Sequence, residues 1–154
     1  MRNVKITSPY ILRYFANKYK AKFNKNYIST PLIKDLAIIK RLSTKYTPYL
    51  VLEAIDLFFE STPIDKASVG YFSACKLFEE GYPMLSIIEP ILKYKHLFNY
   101  YSPELQPKVQ GLIFEFFDYA TALSLEDTEI QRKKEIIKEL EEIDAAARLG
   151  ARAD

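Results

Sequence analysis

The sequence of 154 residues has few of the side chains and motifs on which most enzymes depend. Its one cysteine, Cys75, excludes an internal disulfide and suits a reducing compartment. Its single histidine, His96, has no cysteine or acid at ligand spacing, so we do not expect it to act as a general base. The four glycines are isolated, so there is no glycine-rich phosphate loop. We therefore predict a non-enzymatic protein with no metal site and no cofactor.

Long hydrophobic runs are also absent. No stretch reaches the roughly 18 apolar residues that a transmembrane helix needs. The N-terminus, MRNVKITSPY, lacks the apolar core of a secretory signal. The chain is nevertheless 49% hydrophobic, which is enough to bury a core. These features predict a cytoplasmic globular protein without a membrane segment (in the host cytoplasm, if the source is viral).

Ser-Pro and Thr-Pro pairs recur along the chain, and each is followed by apolar residues. This pattern predicts helix starts, because a hydroxyl can cap free backbone N–H groups and a proline in the first turn loses no needed donor. The expected capping residues are Ser8, Thr30, Thr47, Thr62 and Ser102.

Between these starts the apolar residues follow a helical period. The predicted helices cover about 9–24, 31–45, 48–60, 65–80, 83–100, 103–124 and 127–148. Pro90 should kink or divide the fifth, and the wide apolar stripe of the sixth, which includes Phe117, should be covered. Because no segment alternates like a strand, we predict an all-α fold, a compact bundle of six or seven short helices. Two packed subdomains are an alternative organisation.

Charge is distributed unevenly, although the net charge is only +2. Residues 1–50 carry eleven Lys or Arg and one acid, whereas residues 101–154 carry seven and twelve. We therefore predict a basic helical subdomain over 1–80 and an acidic one over 81–154 that ends in a charged helix. The basic part indicates a negatively charged partner, or it neutralises the acidic part of the same fold or of a neighbouring copy.

The first two helices combine lysine and arginine with aromatic residues. Cations neutralise phosphates, and exposed tyrosines can stack on unpaired bases, so this region predicts a nucleic-acid surface. A core position is favoured for Phe15, Tyr19 and Phe23, while Tyr10, Tyr14 and Tyr27 are left open between core and surface. The predicted phosphate contacts are Arg13, Lys18, Lys20, Lys22, Lys25, Lys40 and Arg41, and the predicted stacking residues are Tyr10 and Tyr14.

Sequence-specific reading of a duplex is disfavoured. The stretch STPLIKDLAIIKRLSTKYTPYLVLEAIDLFF could form two helices around a turn, but its second helix is acidic and apolar. Such a helix is unsuited to binding in the major groove of DNA.

Over residues 9–61 the chain resembles the opening region of small accessory proteins from phage replication modules, of the helicase-assembly or helicase-loader kind. The resemblance lies in the run YILRYFANKYKAKFNKNYI and in IKDLAIIKRLSTKYTPYLVLEAIDLFFES. It implies a DNA-handling adaptor without its own catalysis, and it supplies no site residues.

The leading interpretation is an adaptor whose basic N-terminal face binds nucleic acid, preferably single-stranded or forked DNA. Its C-terminal half would bind a replication or transcription protein, such as a helicase or polymerase. Two alternatives stay open: a protein-only interaction module that binds a host polymerase or replisome, and a structural protein that self-assembles through 127–148.

Overall fold

A computed structural model describes residues 5–29, 31–74, 77–80, 82–122 and 124–153. These residues form eight α-helices and two short 3-10 helices, and they contain no strand. The all-α prediction is confirmed. Thr30 and Cys75 lie outside the described residues. The α-helices are α1 (Ser8–Phe23), α2 (Leu32–Lys45), α3 (Pro48–Ser61), α4 (Val69–Ala74), α5 (Leu77–Glu80), α6 (Tyr82–His96), α7 (Gln106–Ala120) and α8 (Asp127–Ala153), and the 3-10 helices are Ile64–Lys66 and Phe98–Tyr100.

Two helix starts have a threonine hydroxyl cap, but of these two only Thr47 was predicted. Thr47 caps α3, where its hydroxyl accepts a 3.3 Å hydrogen bond from a backbone N–H of the first turn. The cap of α1 is Thr7 and not Ser8, because the Thr7 hydroxyl is the one within reach of a first-turn N–H. Thr62 instead follows the end of α3, and Ser102 lies in a turn that precedes α7.

Pro90 was predicted to kink or divide its helix; the division is wrong, and the kink stays a prediction. α6 runs without a break from Tyr82 to His96, with Pro90 inside it. A proline removes one helical hydrogen bond, and Pro90 is exposed, so water can reach the backbone there.

The contacts divide the chain into two units. The first unit covers Ile6–Leu85, and the second is formed mainly by the residues from Ser86 onward. The predicted boundary, between residues 80 and 81, lies five residues before this division. The basic and acidic roles assigned to the two parts stay predictions.

An aromatic cluster forms the core of the first unit. Its centre is Phe15, which is fully buried on α1. The Phe15 ring lies 4.8 Å from that of Phe59 and 5.1 Å from that of Tyr27, both in edge-to-face geometry, and 5.9 Å from the rings of Phe58 and Phe72. Such pairs add to the free energy of burial, so this cluster fixes α1 against α3 and α4.

In the second unit α7 packs against α8. The buried stripe of α7 is narrower than predicted. Phe116 is buried but Phe117 is 45% exposed, because the next position on a helix turns away from the packed side. On α8, Ile136 and Leu140 are fully buried. This seam of α8 is therefore covered within the chain, and a homo-oligomer through 127–148 stays a prediction.

A buried polar network supports the same unit. The hydroxyl of Tyr101 donates a 2.6 Å hydrogen bond to Asp144, which also pairs with Arg148 at 2.8 Å and with Lys93 at 3.3 Å. Burial alone would raise the pKa of Asp144, but the hydrogen bonds from Tyr101 and Arg148 outweigh it and lower that pKa. Burial, together with this hydrogen bond, raises the pKa of Tyr101.

Candidate functional site

The predicted site residues of α1 lie on two different edges of the helix. α1 packs against both α2 and α3. Tyr14, Lys18 and Lys22 are spaced four residues apart and share one edge, whereas Arg13 and Lys20, seven apart, share another. The side chains on these two edges have different partners in the structure.

The first edge faces α3 and is held by a carboxylate. The Tyr14 hydroxyl donates a 2.6 Å hydrogen bond to Oδ1 of Asp56, and Nζ of Lys18 lies 3.0 Å from the same oxygen. Lys18 also lies over the Tyr14 ring, 5.5 Å from its centroid. Burial, followed by the hydrogen bond to a negative acceptor, raises the pKa of Tyr14. Tyr14 thus stays a neutral hydrogen-bond donor.

Lys22 ends the same edge by capping α3. Its ammonium group donates to the backbone carbonyl of Phe59 and, at 2.9 Å, to that of Thr62. The last carbonyls of a helix lack intrahelical partners and carry a partial negative charge, so a cation is stabilising there. The sequence analysis predicted that Lys22 contacts a phosphate. In the structure its ammonium group instead binds carbonyl oxygens at the end of α3.

Tyr10 and Tyr27 also interact with other residues of the protein. Tyr10 is half-buried and makes contacts within the protein. The Tyr27 hydroxyl donates to Asp35 at 2.8 Å and accepts from the backbone N–H of Val69 at 3.2 Å. Burial raises the pKa of Tyr27 to about 12. Tyr27 therefore links the loop after α1 to α2 and α4, with a half-buried side chain.

The other five predicted cations are exposed. Arg13 and Lys20 lie on the second edge of α1, Lys25 lies in the loop after it, and Lys40 and Arg41 lie on α2. Within the described part of the chain none of the five forms an ion pair with a carboxylate. They are thus available to an external anion.

A groove separates the second edge of α1 from α2. It has a volume of about 530 Å³ and is shallow and widely open to solvent. Arg13 lies in its wall, and three apolar side chains around it are unusually exposed for their type: Ile28 is 79%, Leu32 54% and Ile33 81% exposed. The sequence interpretation singled out none of these three residues as exposed. The other residues of the wall are Pro9, Leu12, Ala16, Tyr27, Ser29 and Leu36.

The outward side of α2 is basic and flat. Lys40, Arg41 and Lys45 share it with Ala37 and Thr44, around a shallow depression. The core side of the helix carries Ile39 and Leu42, so the cations point away from the packed interior. This side therefore presents three exposed cations to solvent.

Cations of the second unit are, in contrast, partly paired within it. Arg132 on α8 binds Glu115 of α7 through two guanidinium nitrogens, at 2.7 and 2.9 Å, and binds Glu139 at 2.9 Å. The hydrogen bond from Arg132 lowers the pKa of Glu115. The exposed side of α7 carries Phe114, at 60% exposure, and Phe117.

No helix among the described residues is both long enough and apolar enough to span a bilayer. No family model matches the chain, and neither the curated proteins nor the solved structures include a significant match to it. The assignment of a function consequently depends on the geometry of these surfaces.

Proposed function

We propose that the protein is a non-enzymatic adaptor whose first unit binds the backbone of a nucleic acid, single-stranded or forked DNA in the first instance. The contacts come from Arg13, Lys20, Lys25, Lys40 and Arg41. The observation that carries the proposal is that these five cations are exposed and have no carboxylate partner among the described residues. Phosphates are the polyanions that such a set of cations neutralises, with release of counterions.

The proposed site is smaller than the set of residues that the sequence indicated. Lys18, Lys22 and Tyr14 hold α1 on α3, so we leave them out of it. With both Tyr10 and Tyr14 engaged in the fold, the proposal depends on phosphate contacts and not on base stacking. Such contacts position a strand without reading its sequence.

The proposal assigns a protein partner, a helicase or polymerase of a replication or transcription complex, to the C-terminal half. Its support is the pair of exposed aromatic side chains on α7, Phe114 and Phe117. Aromatic residues are enriched at protein interfaces. A Phe114→Ser/Phe117→Ser variant should lose a partner that the wild-type protein retains from nuclease-treated lysate, and equal retention by both would argue against this surface.

The test of nucleic-acid binding is fluorescence anisotropy with labelled single-stranded, forked and duplex oligonucleotides at two salt concentrations. If all five cations contact phosphates of a single strand, log K should fall with log salt at a slope of about −3.5. The variant Lys40→Glu/Arg41→Glu should bind much more weakly and with a smaller slope. The variant Lys134→Glu/Lys138→Glu, with the same change in charge on exposed positions of α8, is the control. The proposal fails if the wild-type protein shows no micromolar binding at low salt, or if both variants lose affinity equally.

A further inference from the structure

The groove between α1 and α2 has features that phosphate binding does not require. Single exposed apolar residues are common on protein surfaces, but here Ile28, Leu32 and Ile33 are exposed together within six residues of sequence. Two of them, Ile28 and Leu32, line the groove, whose floor is also apolar at Leu12 and Leu36. An apolar cleft of this kind fits side chains of a partner and not a phosphodiester backbone.

Positive charge flanks the apolar floor. Arg13 lies in the α1 wall, and Lys20 stands two turns further along the same side of α1. On α2, Lys40 stands two turns beyond Ile33 on one side of the helix. These three cations are exposed, and they have no ion-pair partner in the part of the chain that the structure describes. The surface thus combines an apolar centre with a basic rim.

We propose that this groove binds an acidic amphipathic α-helix of another protein. The α1 wall from Pro9 to Ala16 extends about 10 Å, or two helical turns, which accommodates apolar side chains at positions i, i+4 and i+7 of a bound helix. Carboxylates flanking that apolar stripe would meet Arg13 and Lys20 on one side and Lys40 on the other. Charge complementarity of this type sets orientation and accelerates association.

This interaction goes beyond the proposed function, because its anchors are isoleucine and leucine side chains that contact no phosphate. The two proposals share Arg13, Lys20 and Lys40 but differ in Ile28 and Ile33. Substitution of these two isoleucines separates them, and at 79% and 81% exposure neither side chain contributes much to the core.

The probe is a labelled peptide of about 18 residues, or five turns, with leucine at i, i+4, i+7 and i+11, glutamates flanking this stripe and alanine elsewhere to favour the helix. A peptide with lysine in place of each glutamate is its charge control. The full-length protein is compared with Ile28→Ser/Ile33→Ser and with Ile87→Ser/Ile130→Ser, which removes two exposed isoleucines from α6 and α8. Thermal unfolding of each variant verifies that it is folded.

We expect saturable binding of the glutamate peptide that weakens with salt, and weaker or no binding of the lysine peptide. The Ile28→Ser/Ile33→Ser variant should bind the glutamate peptide at least about tenfold more weakly, because it loses Ile28 from the groove lining and the exposed Ile33 next to Leu32. The control variant should bind like the wild type. Oligonucleotide affinity should be the same in all three proteins.

Three results would overturn the inference: no saturable binding of the glutamate peptide, equal binding of the two peptides, or unchanged affinity in Ile28→Ser/Ile33→Ser. Sedimentation provides a fourth. If the wild type is a dimer that this variant converts to a monomer, the groove holds a second copy of the chain. Loss of oligonucleotide affinity in Ile28→Ser/Ile33→Ser would instead show that a nucleic acid occupies the groove. Peptide binding by a wild-type protein that binds no oligonucleotide would refute the proposed function alone.

Discussion

The hydroxyl of Tyr14 lies 2.6 Å from Oδ1 of Asp56, and Nζ of Lys18 lies 3.0 Å from the same oxygen. One carboxylate of α3 thus holds a tyrosine and a lysine that the sequence pattern assigned to a nucleic-acid surface. Together with the contacts of Lys22, it turns one edge of α1 into a packing edge. The proposed functional surface is therefore the opposite edge and the adjoining side of α2.

Replacement of Tyr14 by phenylalanine should destabilise the protein. The ring is retained, but the half-buried Asp56 loses a hydrogen bond, and we expect the free energy of unfolding to fall by about 1–2 kcal/mol. Urea denaturation measures this change. Tyr71→Phe, which removes a hydroxyl from a more exposed ring of the same unit, should leave stability unchanged. Equal stability of wild type and Tyr14→Phe would show that the hydrogen bond makes no net contribution.

Lys20 and Lys22 should differ although they are two residues apart. Lys22→Met removes the cation that caps α3 and should lower the free energy of unfolding by about 1 kcal/mol. Lys20→Met should leave stability unchanged but weaken oligonucleotide binding and reduce the salt slope by about 0.7 for a single strand. Denaturation and anisotropy on both variants form a reciprocal test. A larger loss of affinity in Lys22→Met than in Lys20→Met would contradict the assignment of the two edges.

Asp144 should give stability that depends on pH. Its pKa is lowered in the folded protein, so its contribution is fully present above the pKa of the unfolded chain, about 3.9, and is lost as the pH falls through the folded-state pKa. Asp144→Asn leaves Lys93 and Arg148 without their carboxylate and should cost about 2 kcal/mol at pH 7.

The measurement for Asp144 is urea denaturation of wild type and Asp144→Asn between pH 7 and pH 3. The difference between the two proteins should shrink as the pH falls below about 3.9, because the unfolded chain then takes up a proton that the folded protein does not. Glu142→Gln, at an exposed position of the same helix, is the matched control. A difference that stays constant over this pH range would mean that the ionised form of Asp144 is not what stabilises the unit.

Gly111 should be replaceable at a gain in stability. It lies in the interior of α7, and a Cβ atom placed there would meet nothing within 4 Å. Because glycine loses more backbone entropy than alanine on forming a helix, Gly111→Ala should raise the free energy of unfolding by about 0.5–1 kcal/mol. Calorimetry detects this as a higher midpoint of unfolding. A lower midpoint would indicate that the exposed face of α7 is packed against something that a methyl group displaces.

The helices were predictable because their signals are local. Apolar spacing and the Ser-Pro and Thr-Pro starts predicted α1, α2 and α3 to within one residue at each end. The sixth predicted helix, 103–124, was too long at both ends. The residues after Ser102 form a turn before α7 starts at Gln106, and α7 ends at Ala120. The expectation that Pro90 could divide its helix was wrong, because one missing hydrogen bond did not end α6.

The site residues were less predictable than the helices, because side chains of the same type have different roles. The sequence pattern does not distinguish Lys20 from Lys22. Only the position of α3 shows that Lys22 caps a helix end. Of the two exposed isoleucines, Ile28 and Ile33, only Ile33 could have been predicted to be exposed, because it lies off the packed stripe of α2. Ile28 lies in a loop, where periodicity gives no signal.

The sequence alone determined that the chain is helical, where its first three helices begin and end, and that its positive charge is concentrated in the first third. These properties depend on interactions between residues a few positions apart along the chain. The tertiary structure decided which cations remain available, because the carboxylate and the helix end that engage Lys18 and Lys22 lie about 40 residues away in sequence. Contacts at that separation arise from the packing of one helix on another, and no local pattern encodes them.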